Sequence, residues 1–296
     1  MTAISRAVLV TGCSTGIGRE IATMLASRGW KVYATARRLE SIADLEKAGC
    51  RTLALDVTDE ESSRAAVDAV VAAEGAVGVL VNNAGVNELG ATETLPVDQV
   101  RRMFETNVFG ALRLTQLVLP GMRAQRWGRI VTIGSMNGRW IMPGIGAYAA
   151  TKHALEAFTD ALRYEARPFG IEVSLIAPGM VTTRFGHAAA ERRDTEHVDP
   201  EWDDFNERVA ELTLAWDHGP QARLACTPAD VAERVARAVE AKHPRARYRV
   251  APSATLMLGL RRMLSERAFE RVLRMQFPSP KPRPKPKPKP EPKASA

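Results

Sequence analysis

Short apolar, largely β-branched runs alternate along the first two thirds of the chain with longer stretches whose apolar residues recur at helical spacing. The runs predict strands at Ala7–Thr11, Lys31–Ala36, Arg51–Leu55, Val79–Val81, Arg129–Gly134 and Ile171–Ala177, with a last one at Arg247–Val250. Their apolar residues are nearly continuous rather than alternating, as strands covered by helices on both faces require. The stretches between them predict helices at Ile17–Arg28, Glu40–Ala48, Glu60–Ala73, Val97–Ala124, Ala150–Arg167 and Ala229–Ala241. Strand and helix in strict alternation imply one doubly wound, parallel, seven-stranded α/β sheet.

The pattern changes at Thr182–Gln221, where charges are dense and Trp202, Phe205 and Trp216 stand among them. Two readings remain open for this insertion: a lid over a substrate, or a solvated helical excursion whose aromatics simply pack. Leu256–Leu264 is apolar and basic; packing on the body is favoured there over contact with an anionic membrane. Beyond Phe277 the alternating Pro and Lys residues can form neither helix nor sheet. The expected organisation is a single domain over 1–277 and an extended, disordered tail over 278–296.

Composition narrows the picture. The net charge of +7 raises the question of nucleic acid, yet six basic residues and one acid in 278–296 supply +5 of it, so nucleic acid is not an expected partner. The three cysteines, Cys13, Cys50 and Cys226, are too scattered for a disulfide framework or a zinc knuckle. The five histidines lack metal-binding spacing, and no metal is expected. No window is long and apolar enough to span a bilayer, and no signal peptide is evident, so a reduced, cytoplasmic setting is expected.

Candidate chemistry begins where the first strand runs through Thr11-Gly12-Cys13-Ser14-Thr15-Gly16-Ile17-Gly18 into a helix. A pyrophosphate reaches backbone N–H groups and the positive end of a helix dipole only where side chains are absent. Gly12 would make the tight turn, Gly16 the close approach and Gly18 the helix–strand packing. The second strand ends in Ala36-Arg37-Arg38, where a Rossmann-type fold that prefers NAD would carry a carboxylate. Two guanidinium groups suit a 2′-phosphate instead, which favours NADP(H) over NAD(H). Asp56 and Val57 close the third strand within reach of an adenine, and Asn82-Asn83-Ala84-Gly85 closes the fourth as a cofactor floor.

Tyr148 and Lys152 are four residues apart at the start of a helical pattern, so phenol and ammonium share a face. Bringing a tyrosine from a pKa near 10 to near 7 takes about 4 kcal/mol, which a neighbouring cation in a poorly solvated cleft can contribute to. Ser135 follows the apolar strand Ile130–Gly134, at the carboxyl end where open α/β sheets bind ligands.

Taken together, T-G-x-x-x-G-I-G at Thr11–Gly18, N-N-A-G at Asn82–Gly85, Ser135, Tyr148-x-x-x-Lys152 and Pro178-Gly179 resemble the short-chain dehydrogenase/reductase family over about residues 5–250. The resemblance implies a Rossmann domain with an Asn107, Ser135, Tyr148, Lys152 tetrad. Tyr148 would act as acid or base, Ser135 would polarise the substrate oxygen, and Lys152 would lower the phenol pKa and hold the nicotinamide ribose. Asn107 would organise a water that links Lys152 to solvent. Pro178, Gly179, Val181 and Thr183 would complete the cofactor site. Val32–Arg37, Thr11–Ser14 and Tyr164–Ile176 are similar to the branch of 17β-hydroxysteroid and retinol dehydrogenases, which implies a lipophilic alcohol or ketone. Ser135, Asn137, Trp140, Tyr148 and Gly179 are the candidate substrate contacts, and Arg139 faces either pocket or solvent. The family commonly forms dimers or tetramers. The alternatives are an NAD-preferring enzyme and a non-catalytic NADP(H)-binding regulator, which would have no use for Tyr148 and Lys152.

Overall fold

The computed structural model describes residues 4–191, 200–215 and 220–277. Trp216 and the Pro/Lys tail over 278–296 lie outside the described residues, as does part of the expected insertion.

The seven apolar runs form β1 (Val8–Val10), β2 (Val32–Ala36), β3 (Arg51–Ala54), β4 (Val79–Asn82), β5 (Gly128–Ile133), β6 (Ile171–Pro178) and β7 (Arg247–Val250). All pair in parallel, in the order β3-β2-β1-β4-β5-β6-β7. Successive side chains of a strand face opposite sides. Val8 and Val10 therefore pack with Val79, Val81, Val131 and Ile176 under one helical layer, while Leu9, Leu80, Ile130 and Val173 pack under the other. The first layer is α1 (Gly16–Ser27) and α8 (Pro228–Glu240); the second includes α2 (Glu60–Glu74) and α4 (Gly110–Ala124). The strand order reverses between β1 and β4, and the crevice at such a switch point is where ligands bind.

Helix starts follow local chemistry. Asp59 accepts from Ser62 N–H at the start of α2, and Thr227 and Asp230 form a reciprocal capping box on α8. Glu40–Ala48 is not the continuous helix its spacing predicts. It is two 3₁₀ turns, Leu39–Ser41 and Ala43–Ala48, broken at Ile42, which is fully buried in the core. The expected Val97–Ala124 helix is α3 (Val97–Phe104) and α4 separated by a π turn, Glu105–Phe109, in which Gly110 N–H bonds to Glu105 O. The Tyr148 helix, α5 (Gly146–Ala166), starts earlier than expected, so Tyr148 lies in its first turn.

Within the expected insertion stand α6 (Arg184–Glu191), α7 (Asp203–Ala215) and a 3₁₀ turn, Pro220–Leu224. The apolar and basic stretch belongs to α9 (Pro252–Met263), followed by α10 (Glu266–Gln276), which the spacing did not reveal. Ala254 and Leu258 of α9 and Phe269 of α10 pack on Met136 and Trp140, so the inward side of this pair covers the body. Among the described residues no helix is long and apolar enough to cross a membrane, and no cluster of three metal-ligating side chains occurs.

Candidate active site

A cleft of about 610 Å³ opens at the carboxyl ends of the strands. Its first wall is the glycine turn, where Gly12, Ser14, Thr15, Gly16 and Ile17 line it. Gly12 has φ +71°, and a Cβ there would stand 2.9 Å from Ala84 Cα, so no other residue fits without moving β4's end. Gly18 does not line the cleft. It lets α1 pack down on β1, since a Cβ would lie 2.3 Å from Gly12 O. Asn83 Nδ2 donates to Thr11 O (2.8 Å) and Gly12 O (3.1 Å), while Thr11 Oγ1 accepts from Asn83 and Ala84 N–H, both at 2.9 Å. The turn is thus held rigid from β4. Thr15, the N-cap of α1, makes no side-chain cap bond, so the helix's leading N–H groups remain available to an anion.

The next part of the cleft is lined by Arg37, Asp56, Val57, Asn83, Ala84 and Gly85. Arg37 is exposed and meets no carboxylate among the described residues. Arg38, expected beside it, does not line the cleft. Asp56 Oδ1 is occupied by Thr58 N–H (2.9 Å) and Thr58 Oγ1 (2.7 Å).

The centre is formed by Ser135, Tyr148 and Lys152, all buried and all lining the cleft. Ser135 stands two residues beyond β5, at the start of a 3₁₀ turn, and its Oγ accepts from Asn137 N–H at 3.1 Å. Burial pushes the Tyr148 phenol up to about 12, against which a hydrogen bond with Ser135 works. Burial pulls Lys152 down to about 8. Lys152 Nζ donates to Ile133 O at 2.9 Å and lies 5.6 Å from the Tyr148 ring centroid. The phenol is thus shifted opposite to the expected lowering, because its burial outweighs the Ser135 bond.

Asn107 is buried beneath the cleft and does not line it. Its Nδ2 donates to Val86 O (2.9 Å) and Thr151 Oγ1 (3.1 Å), and its Oδ1 accepts from Val86 N–H (2.7 Å). Both amide protons are engaged, so the side chain ties the π turn to Val86 and to α5. The π turn swings it into that position.

Asn137, Pro178, Gly179, Val181 and Thr183 line the cleft as expected, Thr183 beside the glycine turn, where a Cβ on Gly16 would meet its methyl at 3.6 Å, and an apolar wall the sequence did not single out joins them: Met142, Ile145, Phe185, Val209, Leu212 and Phe277. The Phe185 ring lies 5.9 Å from that of Tyr148. Residues of α6 and α7 in the insertion line the cleft, and Trp202 and Phe205 pack edge to face at 5.6 Å. Trp140 must be corrected. It is 1% exposed, stacks edge-on against Phe269 at 4.8 Å and lines no part of the cleft, because α9 and α10 return over it. Arg139 also turns away, pairing with Glu156 (3.1 Å) and Asp160 (3.8 Å). Glu156, buried on α5 one turn beyond Lys152, also binds Arg247 of β7 through Nε at 3.2 Å, tying the Ser135–Arg139 turn to the helix of Tyr148.

The family profile "short chain dehydrogenase" matches residues 6–194, a span that holds both the glycine turn and the tyrosine–lysine pair. The chain belongs to the short chain dehydrogenase family. Among family members it is 35% identical to the uncharacterized oxidoreductase YbbO of Escherichia coli strain K12 over 271 residues, covering 91% of this chain and 94% of the relative. It is 34% identical to retinol dehydrogenase 8 of Bos taurus, covering 87% and 85%. Among solved structures, a single-substitution variant of actinorhodin polyketide ketoreductase with NADPH is 34% identical with a TM-score of 0.69, covering 85% of this chain and 98% of that one. These short chain dehydrogenases share the single Rossmann-like domain, and the family's chemistry at hydroxyl and carbonyl groups makes this chain an oxidoreductase.

Proposed function

We propose that this short chain dehydrogenase is NADP(H)-dependent and moves a hydride between the nicotinamide and the hydroxyl or carbonyl carbon of a lipophilic alcohol or ketone. The observation that carries the reading is one cleft lined by the glycine turn, by Tyr148, Ser135 and Lys152, and by an apolar group that includes Met142, Phe185 and Val209.

The residues present fit the cofactor. A Cβ would fill the space at Gly12, and the start of α1 is uncapped by any side chain. Gly12, Ser14, Thr15, Gly16 and Ile17 would hold the pyrophosphate, with Gly18 allowing their approach. Asp56 and Val57 would take the adenine, and Asn83, Ala84 and Gly85 the floor. Lys152, Pro178, Gly179, Val181 and Thr183 would hold the nicotinamide half. Arg37, unpaired at the cleft edge, is the partner for a 2′-phosphate; the solved relative that carries NADPH is in keeping with this. When bound, the cofactor supplies the hydride chemistry.

The chain's own groups handle the proton and the oxygen. The Tyr148 hydroxyl gives a proton to the carbonyl oxygen in reduction and takes it from the hydroxyl in oxidation. Ser135 Oγ holds that oxygen by a hydrogen bond that strengthens as charge develops. Lys152 places a cation beneath the ring, and Asn107 fixes α5 against β4's end. Asn137 and Gly179 border the substrate, whose apolar body lies against Met142, Phe185 and Val209 and keeps water out.

The test is oxidation of NADPH against NADH over a panel of retinoid, steroid and long-chain ketones. Tyr148→Phe should abolish turnover while leaving NADPH binding intact, and Arg37→Ala should raise the KM for NADPH about tenfold with that for NADH unchanged. Near wild-type turnover by Tyr148→Phe would overturn the chemistry, and equal KM changes for both cofactors would overturn the 2′-phosphate assignment.

A further inference from the structure

Charge is distributed over this chain in two unequal parts. Between Pro252 and Phe277 five arginines face two glutamates, a net +3, and residues 278–296 add +5. The last 45 residues thus carry +8, and the 251 before them, from a total of +7, carry −1. Cationic charge belongs to the C-terminal end.

The described part of that end also exposes apolar surface. Leu256 and Met263, seven residues apart and so on one side of α9, are 60% and 78% exposed, and Met275 of α10 is 79% exposed. Around them stand Arg262, Arg267 and Arg271, which meet no carboxylate among the described residues. Arg267, Arg271 and Met275 recur at four-residue spacing along α10, which places them on one face. Among the described side chains of α10 only Phe269 is buried.

The pair also borders the cleft. Ser253 Oγ of α9 accepts from Met180 N–H (3.2 Å) at the end of β6, and Phe277, which closes α10, lines the cleft and packs with Phe205 and Val209 of the lid helix α7.

We propose that the outer face of α9 and α10 docks on an anionic lipid surface, with Leu256, Met263 and Met275 entering the headgroup boundary and the arginines and following basic segment held by the lipid charge. An exposed apolar residue set among cations on a helix is the arrangement that lies in such an interface, and one apolar helix face or one basic segment alone binds weakly. Docking in this orientation sets the cleft mouth beside the bilayer. That consequence, unlike the binding itself, rests on the proposed lipophilic substrate.

The experiment is cosedimentation of the full chain with phosphatidylcholine vesicles, with and without phosphatidylglycerol. Binding is expected only to the anionic vesicles and is expected to weaken with salt. Truncation after Phe277 and the pair Met263→Ser with Met275→Ser should each lower the partition coefficient about tenfold. Binding to both vesicle types alike overturns the proposal, as does an unchanged partition for the methionine pair, which would leave the basic segment alone as the binder. Equal loss of affinity for a single-stranded RNA homopolymer by the same variants assigns the face to nucleic acid instead. Dissociation of an oligomer by the methionine pair, without loss of vesicle binding, assigns it to a second copy of the chain. Turnover of a water-soluble ketone by the variants stays at the wild-type rate, and its absence in every form, wild type included, refutes the function reading without touching the docking result.

Discussion

Lys152 works at a cost to the fold that can be measured. Its ammonium is buried and its pKa falls from 10.5 to about 8, so at pH 7 the charged form is disfavoured in the folded chain by about 3 kcal/mol, at about 1.4 kcal/mol per pKa unit. Replacement by methionine removes that cost but also the bond to Ile133 O, worth about 1 kcal/mol, for a net gain of about 2 kcal/mol at pH 7. The sign with pH follows from which state binds more protons. Below pH 8 both states hold the lysine proton and the cost is fully present; between pH 8 and 10.5 the folded state has released it and the unfolded state has not, so wild-type stability rises with pH. The advantage of Lys152→Met should therefore shrink by about 2 kcal/mol between pH 7 and about 9.5. Urea denaturation of both proteins without cofactor at the two pH values reads this directly, and the variant should have no turnover. A variant less stable than wild type at pH 7, or a gap that does not change with pH, would refute the picture of Lys152 as a buried cation retained for chemistry rather than for folding.

Two other perturbations separate structure from site. Glu156→Gln leaves Arg139 and Arg247 without their shared buried carboxylate; with Arg139 half exposed to solvent the loss should be about 2 kcal/mol in urea, and kcat should fall with the KM for NADPH unchanged, because the turn carrying Ser135 loosens against α5. An unchanged kcat would show that the network only stabilises. Trp140→Ala should cost about 3–5 kcal/mol in denaturation while leaving substrate KM within about twofold at a permissive temperature, and a large selective rise in KM would return Trp140 to the cleft.

Much of this site is legible locally. The positive φ of Gly12 and the close approach of Gly18 to Gly12 O are local backbone geometry, and the Tyr148–Lys152 spacing needs only a helix to bring the two groups to one face. The parallel sheet follows from strands apolar on both faces, and its carboxyl end locates Ser135. Trp140 was misplaced because nearness to Ser135 in the chain says nothing about which way a side chain points; that depends on α9 and α10, more than a hundred residues on. The helical spacing around Asn107 likewise gives no sign of the π turn that a bond network with Val86 and Thr151 accompanies.

The order of residues along the chain was enough for the seven strands, their alternation with helices, the glycine turn between β1 and α1 and the helix that carries Tyr148 and Lys152, because each rests on short-range sterics or on periodicity. Long-range packing governed the rest. It turned Arg139 away to Glu156, buried Trp140, brought Phe185, Val209 and Phe277 to one wall, and set the Tyr148 and Lys152 proton affinities through burial. Those outcomes depend on which distant surfaces close over a residue and exclude water from it, and no local pattern carries that information.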